Sequence, residues 1–207
     1  MKKYFLTIAG AFLLFACSSK NNETSQKQAE HSDHKLEAGH HHGSNQHGEE
    51  KEEKAKPLSP HTSAMGMIGN NHVHIDYSSP GKRGRMIFGG LVGFGQVWST
   101  GAHKATNITF DKDVKIDNVD IPAGKYGLFT IPDQNEWTII LNKDWDMHLA
   151  DEYNKENDIV RVKAIPQQLK QVVESLTFEV KETGNEQGKV TIQWDQTAVS
   201  FDIKNSK

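Results

Sequence analysis

From Leu58 onward the chain alternates polar and apolar residues in short runs separated by turn-forming residues, as in His-Val-His-Ile-Asp-Tyr at 72–77. A period of two predicts β-strands with one buried face, and runs spaced about ten residues apart are typical of a sandwich or barrel. Strands are therefore predicted at 72–77, 106–110, 114–116, 125–131, 137–141, 159–164, 176–181, 190–194 and 199–203.

Two further stretches are predicted to be helical, one from about Asp146 to Asn154 and one from about Gln167 to Ser175. Strands still outnumber helices strongly. The sequence therefore predicts a single all-β domain over residues 58–207, an antiparallel sandwich or barrel with one or two short helices.

The N-terminus has the pattern of a lipoprotein signal peptide. Two lysines precede an apolar run at 4–15, and Ala16 stands directly before Cys17. The run is shorter than the roughly 20 apolar residues that cross a bilayer. We expect residues 1–16 to be cleaved and Cys17 to carry lipid, which would anchor the protein in the cell envelope. The absence of aspartate directly after Cys17 favours the outer membrane. The sequence is consistent with a domain on its periplasmic face and with one on its outer face.

Residues 17–57 are polar and carry almost no aliphatic or aromatic side chain. Such a segment cannot bury enough apolar surface to fold alone, so we expect a disordered tether between lipid and domain. Histidine-rich tracts bind metals by composition, so one interpretation is weak metal capture and the other is an inert spacer. The tail histidines are His31, His34, His40, His41, His42 and His47.

Composition narrows the possible function classes. Cys17 is the only cysteine, so once it carries lipid the chain has neither a disulfide nor a thiolate ligand. The formal net charge of −3 argues against a nucleic-acid-binding protein, which typically presents a strongly basic face.

The strand predicted at 72–77 carries a candidate metal site. Alternation puts His72, His74 and Asp76 on one face and the apolar residues on the other. Two imidazoles and a carboxylate suit copper or zinc, and zinc would need one or two further ligands. His103 and His148 are the candidates for these. The alternative is that all four histidines are ordinary surface residues.

Met65 and Met67 lie just upstream of this strand. Thioethers are soft donors that select Cu(I), so a Met-x-Met pair beside histidines hints at copper. The favoured alternative is that both methionines fill the core or its gaps on a preceding strand.

Glycine-rich and aromatic motifs recur through the domain. They read Ser-Pro-Gly-Lys-Arg-Gly-Arg at 79–85, Gly-Leu-Val-Gly-Phe-Gly-Gln-Val-Trp-Ser-Thr-Gly-Ala at 90–102, Ala-Thr at 105–106, Pro-Ala-Gly-Lys-Tyr-Gly-Leu-Phe-Thr-Ile-Pro at 122–132 and Glu-Trp-Thr-Ile-Ile-Leu-Asn at 136–142. Together these motifs resemble the domain of unknown function 2911 family of secreted bacterial proteins, over about residues 73–203. The resemblance implies a small extracytoplasmic domain and no particular activity.

The chain departs from the common pattern of that family at its histidines. After the tryptophan that corresponds to Trp98, the common pattern reads Arg-Thr-Gly-Ala-Asn. This chain has Ser99 and His103 in place of the arginine and asparagine. His72, His74 and His148 also stand where the pattern has no histidine. The resemblance therefore implies a subgroup with an added metal site, and the change at Ser99 puts in doubt a function shared with the wider family.

Three hypotheses follow. The leading one is a non-enzymatic, membrane-anchored protein that binds copper or zinc for buffering, delivery or resistance. The second is a non-catalytic binding or assembly module for an envelope partner or glycan. The third is a metal-dependent hydrolase with an open metal position for water and Asp76 or Asp151 as the base. It is the least favoured, because no hydrolase motif is present.

Overall fold

Ten β-strands and one 3₁₀ turn, Lys155–Asn157, make up the part of the chain that the structure describes, residues 57–206 of a computed structural model. The strands are β1 (His61–Ile68), β2 (Asn71–Ser78), β3 (Asn107–Phe110), β4 (Val114–Ile116), β5 (Val119–Ile121), β6 (Gly124–Ile131), β7 (Trp137–Asn142), β8 (Asp158–Ala164), β9 (Gln167–Gly184) and β10 (Gln187–Asn205).

The strands form two antiparallel sheets that face each other as in a sandwich. The larger sheet has the order β1-β2-β3-β6-β7-β8, and the smaller has the order β5-β4-β10-β9. The predicted all-β antiparallel class is thus confirmed. No helix in residues 57–206 is long and apolar enough to cross a membrane.

One apolar cluster between the sheets holds the two layers together. It includes Ile75 and Ile108 from the larger sheet and Val190 and Phe201 from the smaller, all buried. Because the described residues contain no cysteine, no disulfide supplements this core. Burial of apolar surface, which contributes about 25 cal/mol per Å², is therefore the main source of stability.

A second, smaller apolar cluster lies on the outward side of the larger sheet. Phe129 of β6 and Ile140 of β7 contact Ala105 and Met147, which belong to loops at 97–106 and 143–157. These loops cover the β6–β7 half of the outward face. The outward residues of β1 and β2 are exposed or half-buried, so the other half of this face is open to solvent.

Both helical predictions are wrong. Residues 146–154 form turns and bends, because the backbone there bonds to another loop: the Leu149 amide donates to the His103 carbonyl at 2.7 Å, and the Met147 carbonyl accepts from Ala105 at 3.0 Å. Residues 167–175 belong to β9. There, pairing with β10 outweighs a local helical preference, which is weak by comparison.

The predicted strands are otherwise confirmed: β4 has the predicted bounds, β3 begins one residue later than predicted, at Asn107, and the others are longer. The predictions at 190–194 and 199–203 are one strand, β10, which continues through register shifts around Asp195. β1 and β5 were not among the predicted strands. The turn between β4 and β5 has positive φ at both Asp117 and Asn118.

Two buried asparagines join the start of β2 to the end of β10. Asn71 Nδ2 donates to Asn205 Oδ1 at 2.9 Å and to the Lys112 carbonyl at 3.2 Å. Asn71 Oδ1 accepts from the Lys112 amide at 3.0 Å, and Asn205 Nδ2 donates to the Ile68 carbonyl at 2.7 Å. These bonds fix the β1–β2 hairpin against the smaller sheet.

We expect Asn71→Ala to lower the free energy of unfolding by about 2–4 kcal/mol, because it removes three hydrogen bonds and leaves buried partners unsatisfied. Urea unfolding followed by tryptophan fluorescence measures the change. As a control, Gln171→Ala removes an exposed amide of β9 and should change the free energy by less than about 0.5 kcal/mol. Equal effects of the two substitutions would contradict the role of the network.

Candidate metal centre

β2 presents two histidines and an aspartate on its outward face. The apolar residues of this strand are buried in the core, so the pleat places His72, His74 and Asp76 outside. Their side chains are 39, 30 and 25% exposed. The alternation predicted from the sequence is confirmed along this strand.

The two histidine rings lie side by side and are nearly parallel, with centroids 6.0 Å apart and planes 16° apart. Their nearest carboxylates lie beyond hydrogen-bond distance. His74 Nε2 is 3.7 Å from Asp76 Oδ1, and His72 Nδ1 is 4.0 Å from Asp111 Oδ2. Within residues 57–206 neither ring makes a hydrogen bond, so both can turn toward an ion.

Asp76 is shared with a lysine from another strand. Lys125 Nζ of β6 lies 3.7 Å from Asp76 Oδ2 and 4.5 Å from the centroid of the Trp145 ring. The ammonium group competes with a metal cation for this carboxylate. Asp76 is therefore a weaker candidate ligand than the two histidines.

β1 brings two methionines beside the same histidines. The antiparallel register sets Met65 opposite His74 and Met67 opposite His72. The methionines are 58 and 51% exposed, so the favoured sequence interpretation, that they fill the core, is wrong. The Met-x-Met pair is visible in the sequence, whereas the pairing of β1 with β2 that sets it opposite the histidines is visible only in the structure.

His103 and His148 lie apart from β2, on two loops that bond to each other over β6 and β7. Lys104 and His148 are paired as an isolated β-bridge, and His148 Nδ1 lies 2.8 Å from Asp151 Oδ2. The His148 and Asp151 side chains are 67 and 64% exposed. His103 has φ of +64°, a conformation that asparagine and histidine adopt more readily than most residues, so a histidine fits this backbone.

The loop that carries His148 is attached to β8 by a polar cluster. Tyr153 Oη donates to Asp158 Oδ2 at 2.7 Å, and Arg161 donates to both Asp158 and the tyrosine oxygen. Burial, together with the hydrogen bond to Asp158, raises the pKa of Tyr153 to about 12. The phenol therefore remains a hydrogen-bond donor to Asp158 at higher pH than an ordinary tyrosine would.

The five predicted ligands thus divide into two groups, one on β2 and one in the loops. Across residues 57–206, no three or more histidine, cysteine, aspartate or glutamate side chains are arranged to hold one ion. A single metal site formed by all five predicted ligands therefore stays a prediction. Cys17 and the six tail histidines, His31, His34, His40, His41, His42 and His47, lie outside the described residues.

A cleft of about 310 Å³ was not foreseen from the sequence. Trp98 and Trp194, which stack with centroids 5.8 Å apart, line it together with Leu91, Arg83 and Arg85. Apolar and aromatic residues with flanking guanidinium groups are typical of a ligand-binding cleft. The sequence features that could have indicated this cleft are the glycine-rich and basic residues of the motifs at 79–85 and 90–102.

No curated protein and no solved structure matches the chain. The family described as "Protein of unknown function (DUF2911)" matches residues 59–203, which include all ten strands except the last two residues of β10. The chain therefore belongs to this DUF2911 family, as the motifs at 79–85, 90–102 and 122–132 had indicated.

Proposed function

We propose that this protein is a lipid-anchored protein of the cell envelope that binds copper or zinc for buffering or delivery. The observation that carries the proposal is the pair of adjacent, outward histidine rings on β2, His72 and His74. Imidazole is a ligand that suits both metals, and two imidazoles on one rigid element supply half of a four-coordinate site.

The position of β2 within the sheet supports this role. β2 is paired along its whole length with β1 on one side and over residues 73–76 with β3 on the other, and the Asp111 amide donates to the His72 carbonyl at 3.2 Å. The backbone that carries His72 and His74 is therefore held by hydrogen bonds on both edges and by the core beneath. Only side-chain torsions must change when an ion binds, so little ordering entropy opposes binding.

The tail would serve as a weak collector beside this site. Its six histidines, tethered to the domain, would hold ions at a raised local concentration near β2. Residues with single, weak metal contacts exchange ions quickly, which suits transfer to a stronger site. The lipid on Cys17 would keep both parts at the membrane surface.

A hydrolase receives less support than a carrier. A catalytic zinc site needs three protein ligands and an open position for water. Among the described residues no third histidine or carboxylate joins His72 and His74 around one point. The proposal therefore assigns binding and no reaction to this face.

A second candidate function, a non-catalytic binding module for an envelope partner or glycan, is favoured by the cleft at Trp98 and Trp194. Trp98 gives the cleft a partly exposed aromatic wall, with the buried Trp194 stacked against it, and Arg83 and Arg85 offer hydrogen-bond donors. The Arg85 guanidinium already donates to the Gly81 and Lys82 carbonyls, which leaves Arg83 as the more available of the two.

We expect His72→Ala combined with His74→Ala to raise the dissociation constants for zinc and copper by at least about 100-fold, since removal of a group that merely orients a ligand already costs about 10–100-fold. The background is the full chain in detergent, with the six tail histidines replaced by glutamine. Titration calorimetry measures both affinities.

The matched control for this experiment is His103→Ala combined with His148→Ala, which removes two histidines from the loops and should leave the affinities unchanged. Equal weakening by the two double variants would show that the site is not confined to β2. No bound metal in the starting protein would favour the binding module instead.

We expect Cys17→Ala to abolish incorporation of labelled palmitate and to leave residues 1–16 attached, because lipid transfer requires the thiol of that cysteine. Palmitate labelling and mass spectrometry of the intact protein measure both effects. Ser18→Ala is the neighbouring control and should retain the label. Labelling that persists in Cys17→Ala would rule out the proposed anchor.

A further inference from the structure

Near the turn of the β1–β2 hairpin, the outward face carries two methionines and two histidines. The register sets Met65 opposite His74 and Met67 opposite His72. We propose that these four side chains bind one cuprous ion, Cu(I), through two thioether sulfurs and two imidazole nitrogens. This inference rests on the metal-binding function proposed above and names the metal and the remaining ligands.

The geometry of the hairpin brings the donors within reach of one ion. Residues directly opposite each other on antiparallel strands have Cβ atoms about 4.5–5.5 Å apart, and diagonal neighbours are about 7–8 Å apart. The four positions therefore occupy the corners of a small quadrilateral on one face. Methionine has three rotatable side-chain bonds, so each sulfur can reach an ion that the two imidazoles hold.

The exposure of the methionines has no structural explanation within the described residues. β1 is an edge strand of its sheet, and the outward positions of edge strands are usually charged or polar because exposed apolar edges promote aggregation. Met65 and Met67 are nevertheless 58 and 51% exposed. Burial cannot explain why two apolar side chains occupy these positions, whereas a role as metal ligands can.

The donor chemistry selects the monovalent ion. Thioethers are soft ligands that favour Cu(I), whereas zinc prefers thiolate, imidazole and carboxylate. None of the four donors is anionic, so they leave less uncompensated charge around a monovalent ion than around a divalent one. Two carboxylates lie near this face. Asp76 Oδ2 is 3.7 Å from Lys125 Nζ, and Asp111 Oδ2 is 4.0 Å from His72 Nδ1.

The openness of the face fits transfer of the ion. The His72 and His74 side chains are 39 and 30% exposed, and the methionines are more exposed still. An incoming ligand from another molecule can therefore replace these donors one at a time. Such a site suits capture and delivery better than long-term storage.

The test uses Met65→Leu combined with Met67→Leu, since leucine has nearly the volume of methionine and no sulfur. The background is the full chain in detergent with Cys17→Ser and the six tail histidines replaced by glutamine. Competition with a chromophoric Cu(I) chelator under ascorbate measures Cu(I) affinity, and calorimetry measures zinc affinity. X-ray absorption at the copper edge reports sulfur neighbours of the bound copper.

We expect the methionine double variant to bind Cu(I) at least about 100-fold more weakly, to lose the sulfur signal and to keep its zinc affinity. Met86→Leu, which changes a methionine that is 71% exposed in a loop, should change neither affinity. These results together would support the four-donor site.

Two results would overturn it. If the methionine double variant keeps its Cu(I) affinity while His72→Ala with His74→Ala loses it, the thioethers are not ligands and only the histidine-based function stands. If both double variants bind copper and zinc as tightly as the starting protein does, the four-donor site and the proposed function both fail.

Discussion

Burial of the inward side of β2 between the two sheets is the constraint on which the candidate site depends. Because successive side chains in a strand point to opposite faces, the buried Val73 and Ile75 force His72 and His74 outward. A slip of one residue would exchange the two sets and place imidazoles in the core. The energy of the core therefore also fixes the direction of these two candidate ligands.

The same constraint acts on β1 through the smaller sheet. A Cβ atom at Gly66 would lie 2.7 Å from the Val180 carbonyl oxygen of β9, so the absence of a side chain at Gly66 lets the two backbones approach closely. Gly66 lies between Met65 and Met67 on the inward side of the strand. The close contact with β9 thus holds an edge strand in place and turns both methionines outward, opposite the histidines of β2.

Period-two alternation was enough to predict β2 and the outward position of His72 and His74. It failed for Met65 and Met67, because the inward positions of β1 are filled by Ala64 and Gly66, which are too small to give an apolar stripe in the sequence. The contact between the loop that carries His103 and the loop that carries His148 could not be predicted either. It depends on hydrogen bonds between two irregular loops, and such bonds follow no period.

The two candidate functions use different parts of the domain. Most residues that line the cleft belong to the motifs at 79–85 and 90–102, on which the resemblance to the family rests. The candidate metal face instead uses His72 and His74 on the outward side of β2. Because the two proposed sites share no residue, both proposals are compatible in one domain. If both hold, substitution of the two histidines removes metal binding and leaves ligand binding in the cleft intact.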